Sequence, residues 1–130
     1  MNKKLVTIRI PKLLNKFYDE EVKKINIKRK LFNKKEITKT QLLNFLIRDL
    51  VFNKTHINGE FNNNYQLRFY YELKNYNLDL KNDKQISFYI TENNHYMINK
   101  FANENGENFT ENLRHVLIYY FKNPSTIHKI

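Results

Sequence analysis

Basic side chains are concentrated in the first part of this 130-residue chain and indicate a polyanionic partner. The chain has 23 Lys and Arg against 13 Asp and Glu, a formal net charge of +10. Residues 1–55 hold 15 basic and 5 acidic side chains, whereas residues 56–130 hold 8 of each. An AT-rich genome would raise the lysine content but would not sort charge in this way. The asymmetry therefore favours contact of the first part with nucleic acid or another anionic surface.

Two predicted helix starts add backbone donors to this charge. Thr38 and Asn108 each precede a helical pattern and have Gln41 or Glu111 three positions on, the spacing of a capping box. A helix start presents unpaired N–H groups and the positive end of the helix dipole, which suit a phosphate. Capping alone is the alternative at these starts, and a solvated charge run is the alternative for the lysines. The candidate phosphate-anchoring residues are Lys3, Lys4, Lys28, Arg29, Lys30, Lys34, Lys35, Thr38, Lys39, Thr40, Asn108, Phe109 and Thr110.

The composition argues against an enzyme. The chain has no Cys and two Gly, which excludes a thiol nucleophile, a Cys-based zinc site and a Gly-rich phosphate loop. The four His residues are scattered, without metal-ligand spacing: His56, His95, His115 and His128. We therefore expect no catalysis, no cofactor and no metal. Because no apolar run approaches membrane-spanning length and no apolar signal region begins the chain, we expect a cytoplasmic protein without a membrane partner.

Two seven-residue segments, 4–10 and 84–90, alternate apolar and polar residues, and each predicts a strand. The apolar faces consist of Val6, Ile8, Ile10, Ile86, Phe88 and Ile90. The opposite faces consist of Leu5, Thr7, Arg9, Gln85, Ser87 and Tyr89.

Two helical patterns follow the first strand. Pro11 ends the strand and suits the first position of a helix. Helical spacing continues to Ile25, a basic stretch follows, and a second helix begins at Thr38. The segment between Pro11 and Thr38 is ten residues longer than its counterpart in the second half of the chain, and we place the extra residues around 26–36.

The second strand is followed by the same two elements. Thr91 is the predicted cap of a helix that runs to Asn105, where Gly106 ends it. The last helix begins at Asn108 and ends at the Asn123–Pro124 pair. The chain thus has the order strand–helix–helix, connector, strand–helix–helix.

The connector contains aromatic residues from Tyr65 to Tyr76 that predict an extra helix, although the alternation up to Tyr71 also allows a strand. These aromatics are interleaved with Arg68 and Lys74, so stacking on single-stranded bases is an alternative to core packing. The predicted division is a first unit at 1–52, the connector at 53–83, a second unit at 84–123 and a tail at 124–130, with both units in one compact domain.

This order resembles the ribbon-helix-helix family of DNA-binding proteins, of the Arc, MetJ and CopG type. The family's opening of its second helix, Leu-Ser-Lys-Ser-x-hydrophobic-hydrophobic, is matched by Ile-Thr-Lys-Thr-Gln-Leu-Leu at residues 37–43. The resemblance covers residues 3–52 and 84–122. It implies a mainly α fold with a short two-stranded antiparallel β-ribbon, in which tandem units form an intramolecular pseudo-dimer. A single unit of some forty residues is also too small to bury a sufficient core alone.

The resemblance further implies which residues read DNA, since a two-stranded ribbon fits the major groove. Carried over by position, the base-reading residues are Leu5, Thr7, Arg9, Gln85, Ser87 and Tyr89. Arg9 suits guanine and Gln85 suits adenine. The alternative for all six is an ordinary solvent-exposed sheet face.

The expected function is sequence-specific binding of double-stranded DNA at an asymmetric site. The family resemblance implies a transcriptional repressor, a partition protein, or a conjugation accessory factor that also contacts a relaxase or other protein. The chain would be monomeric as a pseudo-dimer and could associate further on DNA. The alternatives are an antitoxin-like protein-interaction module, using residues 53–83 or 123–130, and single-stranded nucleic-acid binding by the connector.

Overall fold

A computed structural model describes residues 3–53, 56–57, 60–61 and 83–129. In chain order the elements are β1 (Lys3–Pro11), α1 (Lys12–Leu31), α2 (Lys39–Ile47), a π-helical segment (Arg48–Asn53), β2 (His56–Ile57), β3 (Glu60–Phe61), β4 (Asp83–Thr91), α3 (Glu92–Glu104), α4 (Phe109–Lys122) and a 3-10 segment (Pro124–Lys129). The described part is mainly helical, and β1 and β4 form a two-stranded antiparallel sheet, as the sequence predicted. Within these ranges, each helix is too short or too polar to cross a membrane.

The strands β1 and β4 pair over nine residues each and form the ribbon, defined as residues 3–11 and 83–91. The predicted inward side chains are buried, except that Ile86 is half-buried: Val6, Ile8, Ile10, Phe88 and Ile90. The opposite side chains are exposed. A two-stranded sheet is marginal alone in water, so the ribbon depends on the helices that cover its apolar face.

The three predicted N-caps are confirmed. The Thr38 hydroxyl accepts a hydrogen bond from the Gln41 amide at 3.1 Å, and Gln41 Oε1 accepts one from the Thr38 amide at 2.9 Å. Asn108 and Glu111 form the same reciprocal pair, at 2.8 and 3.5 Å. The side chain of Thr91 caps α3. These caps define where α2, α3 and α4 begin.

The helix that follows β1 is longer than the helix that follows β4. Because α1 has 20 residues and α3 has 13, seven of the ten extra residues lengthen the helix and three lengthen the following turn. The helical pattern therefore does not end at Ile25, and the placement of all extra residues between the helices is wrong. Lys, Arg and Leu are good helix formers, and cations favour the C-terminal end of a helix dipole. These preferences explain why the basic run is helical as far as Leu31.

The buried core joins residues from both halves of the chain. The Tyr18 hydroxyl of α1 donates a buried hydrogen bond of 2.6 Å to the Leu117 carbonyl of α4. Leu50 and Val51 of the π-helical segment are buried, as is Ile127 of the 3-10 segment. The π-helical segment continues the helix predicted to begin at Thr38, with Leu50 on its apolar face as expected, although its π-helical geometry was not predicted. The 3-10 segment was not predicted either, and it contributes to the core through Ile127.

The connector is described in part. The predicted extra helix from Tyr65 to Tyr76, and the alternative strand, lie outside the described residues. Among those that are described, β2 and β3 form a short antiparallel pair that sequence analysis missed. The boundaries of the two units and the connector stay predictions.

Candidate nucleic-acid interface

The outward face of the ribbon brings the six predicted base-reading residues into three cross-strand pairs. The register places Leu5 opposite Tyr89, Thr7 opposite Ser87, and Arg9 opposite Gln85. Leu5 and Tyr89 have 58% and 55% of their surface exposed, and the other four side chains are also exposed. The face is therefore a continuous strip, mainly apolar at one end, where the Tyr89 hydroxyl is the polar group of the pair, and hydrogen-bonding at the other.

The central pair is internally hydrogen-bonded. Thr7 Oγ1 lies 2.8 Å from Ser87 Oγ, so one hydroxyl donates to the other. A hydroxyl has one donor and two acceptor lone pairs, so the pair keeps one donor and several acceptor positions toward solvent. A base in direct contact with this pair could therefore use only the one remaining donor and the remaining acceptor positions.

Each end of the ribbon is held by one helix. On α2, Asn44 Nδ2 donates to the Tyr89 carbonyl and Asn44 Oδ1 accepts from the Thr91 amide, both at 2.9 Å. On α4, Arg114 Nε donates to the Arg9 carbonyl at 3.1 Å. We call Asn44 and Arg114 the ribbon clamps. They fix the helices relative to the exposed strip.

Sequence analysis missed both clamps. Asn44 and Arg114 each lie six residues after a capping residue, Thr38 or Asn108. Because the same spacing occurs after both caps, a comparison of the two halves of the sequence could have identified these two residues. Considered one at a time, neither residue could have been identified, because its hydrogen-bond partner lies on a strand far away in the sequence.

The starts of α2 and α4 offer backbone donors more than side chains. The caps use the side chains of Thr38 and Asn108, and an α-helix leaves its first amides without a partner inside the helix. Phosphate contacts predicted at Lys39, Thr40, Phe109 and Thr110 would therefore use backbone N–H groups.

Two of these side chains are directed into the protein. Lys39 Nζ pairs with Asp19 Oδ1 of α1 at 2.8 Å and also contacts the buried Asn15. The Phe109 ring stacks on the His95 ring with centroids 4.7 Å apart. The Lys39 ammonium and the Phe109 ring thus connect helices, whereas Thr40 is half-buried and Thr110 is exposed.

The basic turn, defined as residues 28–38, is folded onto the end of α1. Arg29 Nε donates to the Lys35 carbonyl at 2.6 Å, and Lys30 Nζ lies 3.3 Å from Glu36 Oε1. Asn26 makes two hydrogen bonds to the backbone of Ile37, at 2.8 and 2.9 Å. The turn therefore has a defined shape that presents its cations.

The predicted phosphate-anchoring side chains that are exposed lie in two places, the start of β1 and the basic turn: Lys3, Lys4, Lys28, Lys30, Lys34 and Lys35. Arg29 is half-buried beside the turn it supports. The corresponding residues 98–108, at the end of α3 and in the turn before α4, differ, since they include Glu104 and Glu107 and one cation, Lys100. The two flanks of the ribbon are thus unequal in charge.

Three ionisable groups in the described part of the chain have pKa values that are shifted by their surroundings. Burial and the nearby positive charge of Lys4 lower the pKa of His95. Burial raises the pKa of Tyr18, with a further rise from Glu21. Burial and a hydrogen bond to Asp49 raise the pKa of Tyr120. These three groups are therefore neutral near pH 7 and add no charge to the surface.

Comparisons with models of protein families, with curated proteins and with solved structures found no match for this chain.

Proposed function

We propose that this chain is a sequence-specific double-stranded DNA-binding protein of the ribbon-helix-helix type, in which two tandem units form an intramolecular pseudo-dimer. The observation that carries the proposal is the exposed antiparallel ribbon built from one strand of each unit. In family terms, β1 with α1 and α2 forms one unit, and β4 with α3 and α4 forms the other.

The register of the ribbon supports an internal two-fold axis. The alternating segments 4–10 and 84–90 correspond with an offset of 80 residues, which makes Thr7 and Ser87 equivalent. These two residues lie directly opposite each other. A two-fold axis through that pair would exchange the strands, so the Leu5–Tyr89 pair would correspond to Gln85–Arg9.

The ribbon clamps support the same axis independently. With an offset of 70 residues between the caps Thr38 and Asn108, Asn44 corresponds to Arg114. Asn44 bonds to the carbonyl of Tyr89, and Arg114 bonds to the carbonyl of Arg9, the equivalent strand position in the other unit. Each unit therefore holds the strand of the other, as two subunits of an interlocked dimer would.

The exposed strip has the chemistry of base recognition. The major groove accommodates a two-stranded ribbon and presents a distinct set of donors and acceptors at each base pair. Arg9 has a donor fork for guanine O6 and N7, and Gln85 has the donor and acceptor for adenine N7 and N6. The free amides of α2 and α4 and the cations of the basic turn would hold the flanking phosphates.

The target would be asymmetric, because the two strands expose different residues. A homodimer matches a palindrome through its own symmetry, whereas Leu5, Thr7 and Arg9 differ from Gln85, Ser87 and Tyr89. An oriented site suits a transfer origin, where one strand is nicked, as well as an operator. We propose an accessory role at a plasmid or mobile-element site, or transcriptional repression.

A protein-interaction role, as in an antitoxin, is the second candidate. It is favoured by three large apolar side chains exposed near the end of α1: Ile27, Leu31 and Phe32, with 64%, 78% and 66% of their surface accessible. Exposed apolar side chains of this size are typical of partner contacts when they lie together. A stoichiometric protein partner without any DNA sequence preference would favour this function.

Selection of sites from a randomised duplex pool tests the proposal. We expect a specific, non-palindromic winner that is bound by one chain. Arg9→Ala and Gln85→Ala should each weaken binding by about 5- to 150-fold, the range for a bidentate base contact. Lys122→Ala, which removes one exposed cation at the far end of α4, is the matched control and should change affinity much less.

Two outcomes would refute the proposal. Binding that follows only salt concentration would indicate counterion release without sequence reading. A palindrome bound by a single chain would contradict the asymmetric ribbon.

A further inference from the structure

We propose that the DNA site has a chemical polarity: the Leu5–Tyr89 end of the ribbon meets thymine methyl groups beside the stronger phosphate anchor, and the Arg9–Gln85 end reads purines by hydrogen bonds. This inference rests on the proposed function and adds a division of tasks between the two ends.

The strand register places different kinds of side chain at the two ends of the ribbon. Leu5 and Tyr89 face each other, so one end presents an aliphatic side chain beside an aromatic ring. Apolar side chains in the major groove contact the thymine methyl, which no other standard base carries there. Arg9 and Gln85 face each other at the other end, where both side chains offer bidentate hydrogen bonds to purines.

The centre of the ribbon separates the ends and contributes less discrimination. The hydroxyls of Thr7 and Ser87 are bonded to each other. Residues 5 and 9 are four positions apart, a distance of roughly 13 Å along a strand. With 3.4 Å per base along the duplex axis, the two readouts would be centred about three to four base pairs apart.

The hydrogen bonds of the ribbon clamps place the start of one helix near each end of the ribbon. Asn44 joins α2 to the end that holds Tyr89, and Arg114 joins α4 to the end that holds Arg9. Each clamp lies six residues from its cap, which is about 9 Å along a helix axis. The start of α2 is therefore close to the apolar end, and the start of α4 is close to the hydrogen-bonding end.

The charge next to these helix starts is uneven. The basic turn before α2 has five cations and one carboxylate, whereas the corresponding residues 98–108 before α4 have two carboxylates and one cation, Lys100. Lys3 and Lys4 lie at the same end of the ribbon as Leu5. Phosphate anchoring would accordingly be stronger at the thymine end, and base discrimination would be stronger at the purine end.

Two kinds of substitution should separate these tasks. Arg9→Ala should relax the selected sequence at the purine end alone and weaken binding to the selected site about 5- to 150-fold. Replacing Lys34 and Lys35 together by Ala should weaken binding equally on all sequences. It should lower the salt dependence by about two phosphate contacts and leave the selected sequence unchanged.

Directed DNA cleavage maps the orientation. The chain has no Cys, so Lys35→Cys and Asn103→Cys each create one attachment point for an iron chelate that cleaves nearby DNA. Both positions are exposed, and Asn103 lies beside the corresponding turn of the second unit. With the probe at position 35, cleavage should occur beyond the thymine end of the selected site. With the probe at position 103, it should occur beyond the purine end.

The outcomes distinguish this inference from the proposed function. Failure to select any specific sequence would refute the proposed function. A specific sequence with cleavage from position 35 at the purine end, or at both ends equally, would overturn the polarity alone. Loss of discrimination at both ends in Arg9→Ala would also overturn it.

Discussion

Removing the amide of Asn44 should loosen the hold of α2 on the ribbon. Its side chain joins α2 to the end of β4 by a hydrogen bond to the Tyr89 carbonyl and another from the Thr91 amide, both at 2.9 Å. It also accepts a bond of 3.0 Å from the largely buried Asn94. In Asn44→Ala, these partners lose bonds between elements that lie far apart in sequence.

The expected loss of unfolding free energy is about 2–3 kcal/mol, from two backbone bonds of about 1 kcal/mol each and the partial cost of leaving the Thr91 amide unpaired. Urea denaturation followed by far-UV circular dichroism measures it. With a slope of about 1–3 kcal/mol per molar urea, the midpoint should fall by roughly 0.7–3 M.

Two control variants are compared with Asn44→Ala. Arg114→Ala removes the other clamp, a single exposed bond of 3.1 Å, and should cost less than about 1 kcal/mol. Asn93→Ala, on the exposed side of α3, should be within about 0.5 kcal/mol of wild type. If Asn44→Ala were no more destabilising than Asn93→Ala, the clamp would not hold the ribbon and the reasoning would be wrong.

Three further results are expected. Tyr18→Phe should cost about 1–1.5 kcal/mol in urea denaturation, because the buried hydroxyl donates to the Leu117 carbonyl; an unchanged midpoint would contradict this. Gly106→Ala should cost about 1 kcal/mol, since φ is +70° there and no atom lies within 4 Å of an added methyl group. A loss of several kcal/mol would mean that crowding, not backbone conformation, requires Gly. His95→Gln should reduce the loss of stability between pH 7.5 and 5.5. Because the folded pKa of His95 is lowered, the unfolded chain binds more protons as pH falls through about 6.5, so acid destabilises the native protein. A wild-type and variant pair with equal pH dependence would exclude His95 as a contributor.

The faces of the strands and the starts of the helices were predictable because their signals are local. Alternation separated buried Ile8 from exposed Thr7, and capping chemistry located Thr38 and Asn108. The length of α1 was not predicted, because a run of lysines suggested a solvated stretch although lysine is a good helix former. The buried Ile127 was missed because an isolated apolar residue near a chain end has no periodic pattern around it.

The residues of the candidate interface were predicted from the sequence, but their positions relative to one another were not. Alternation indicated that Leu5 and Arg9 point outward, but pairing with Tyr89 and Gln85 depends on the register of two strands far apart in the chain. The destinations of Lys39 and Phe109 were equally non-local, because Asp19 and His95 lie on other helices. Sequence spacing alone does not report such partners.

The separation of the paired strands has a consequence for synthesis on the ribosome. Partners in the ribbon are between 72 residues apart, at Pro11 and Asp83, and 88 residues apart, at Lys3 and Thr91. At about 5–20 residues per second, β1 is complete roughly 4–16 s before its partner has been translated. During that interval the strand carries unpaired backbone groups and an apolar face, both of which invite association with other chains. Mature pairing, and with it the exposed strip, arises only after translation has passed Thr91.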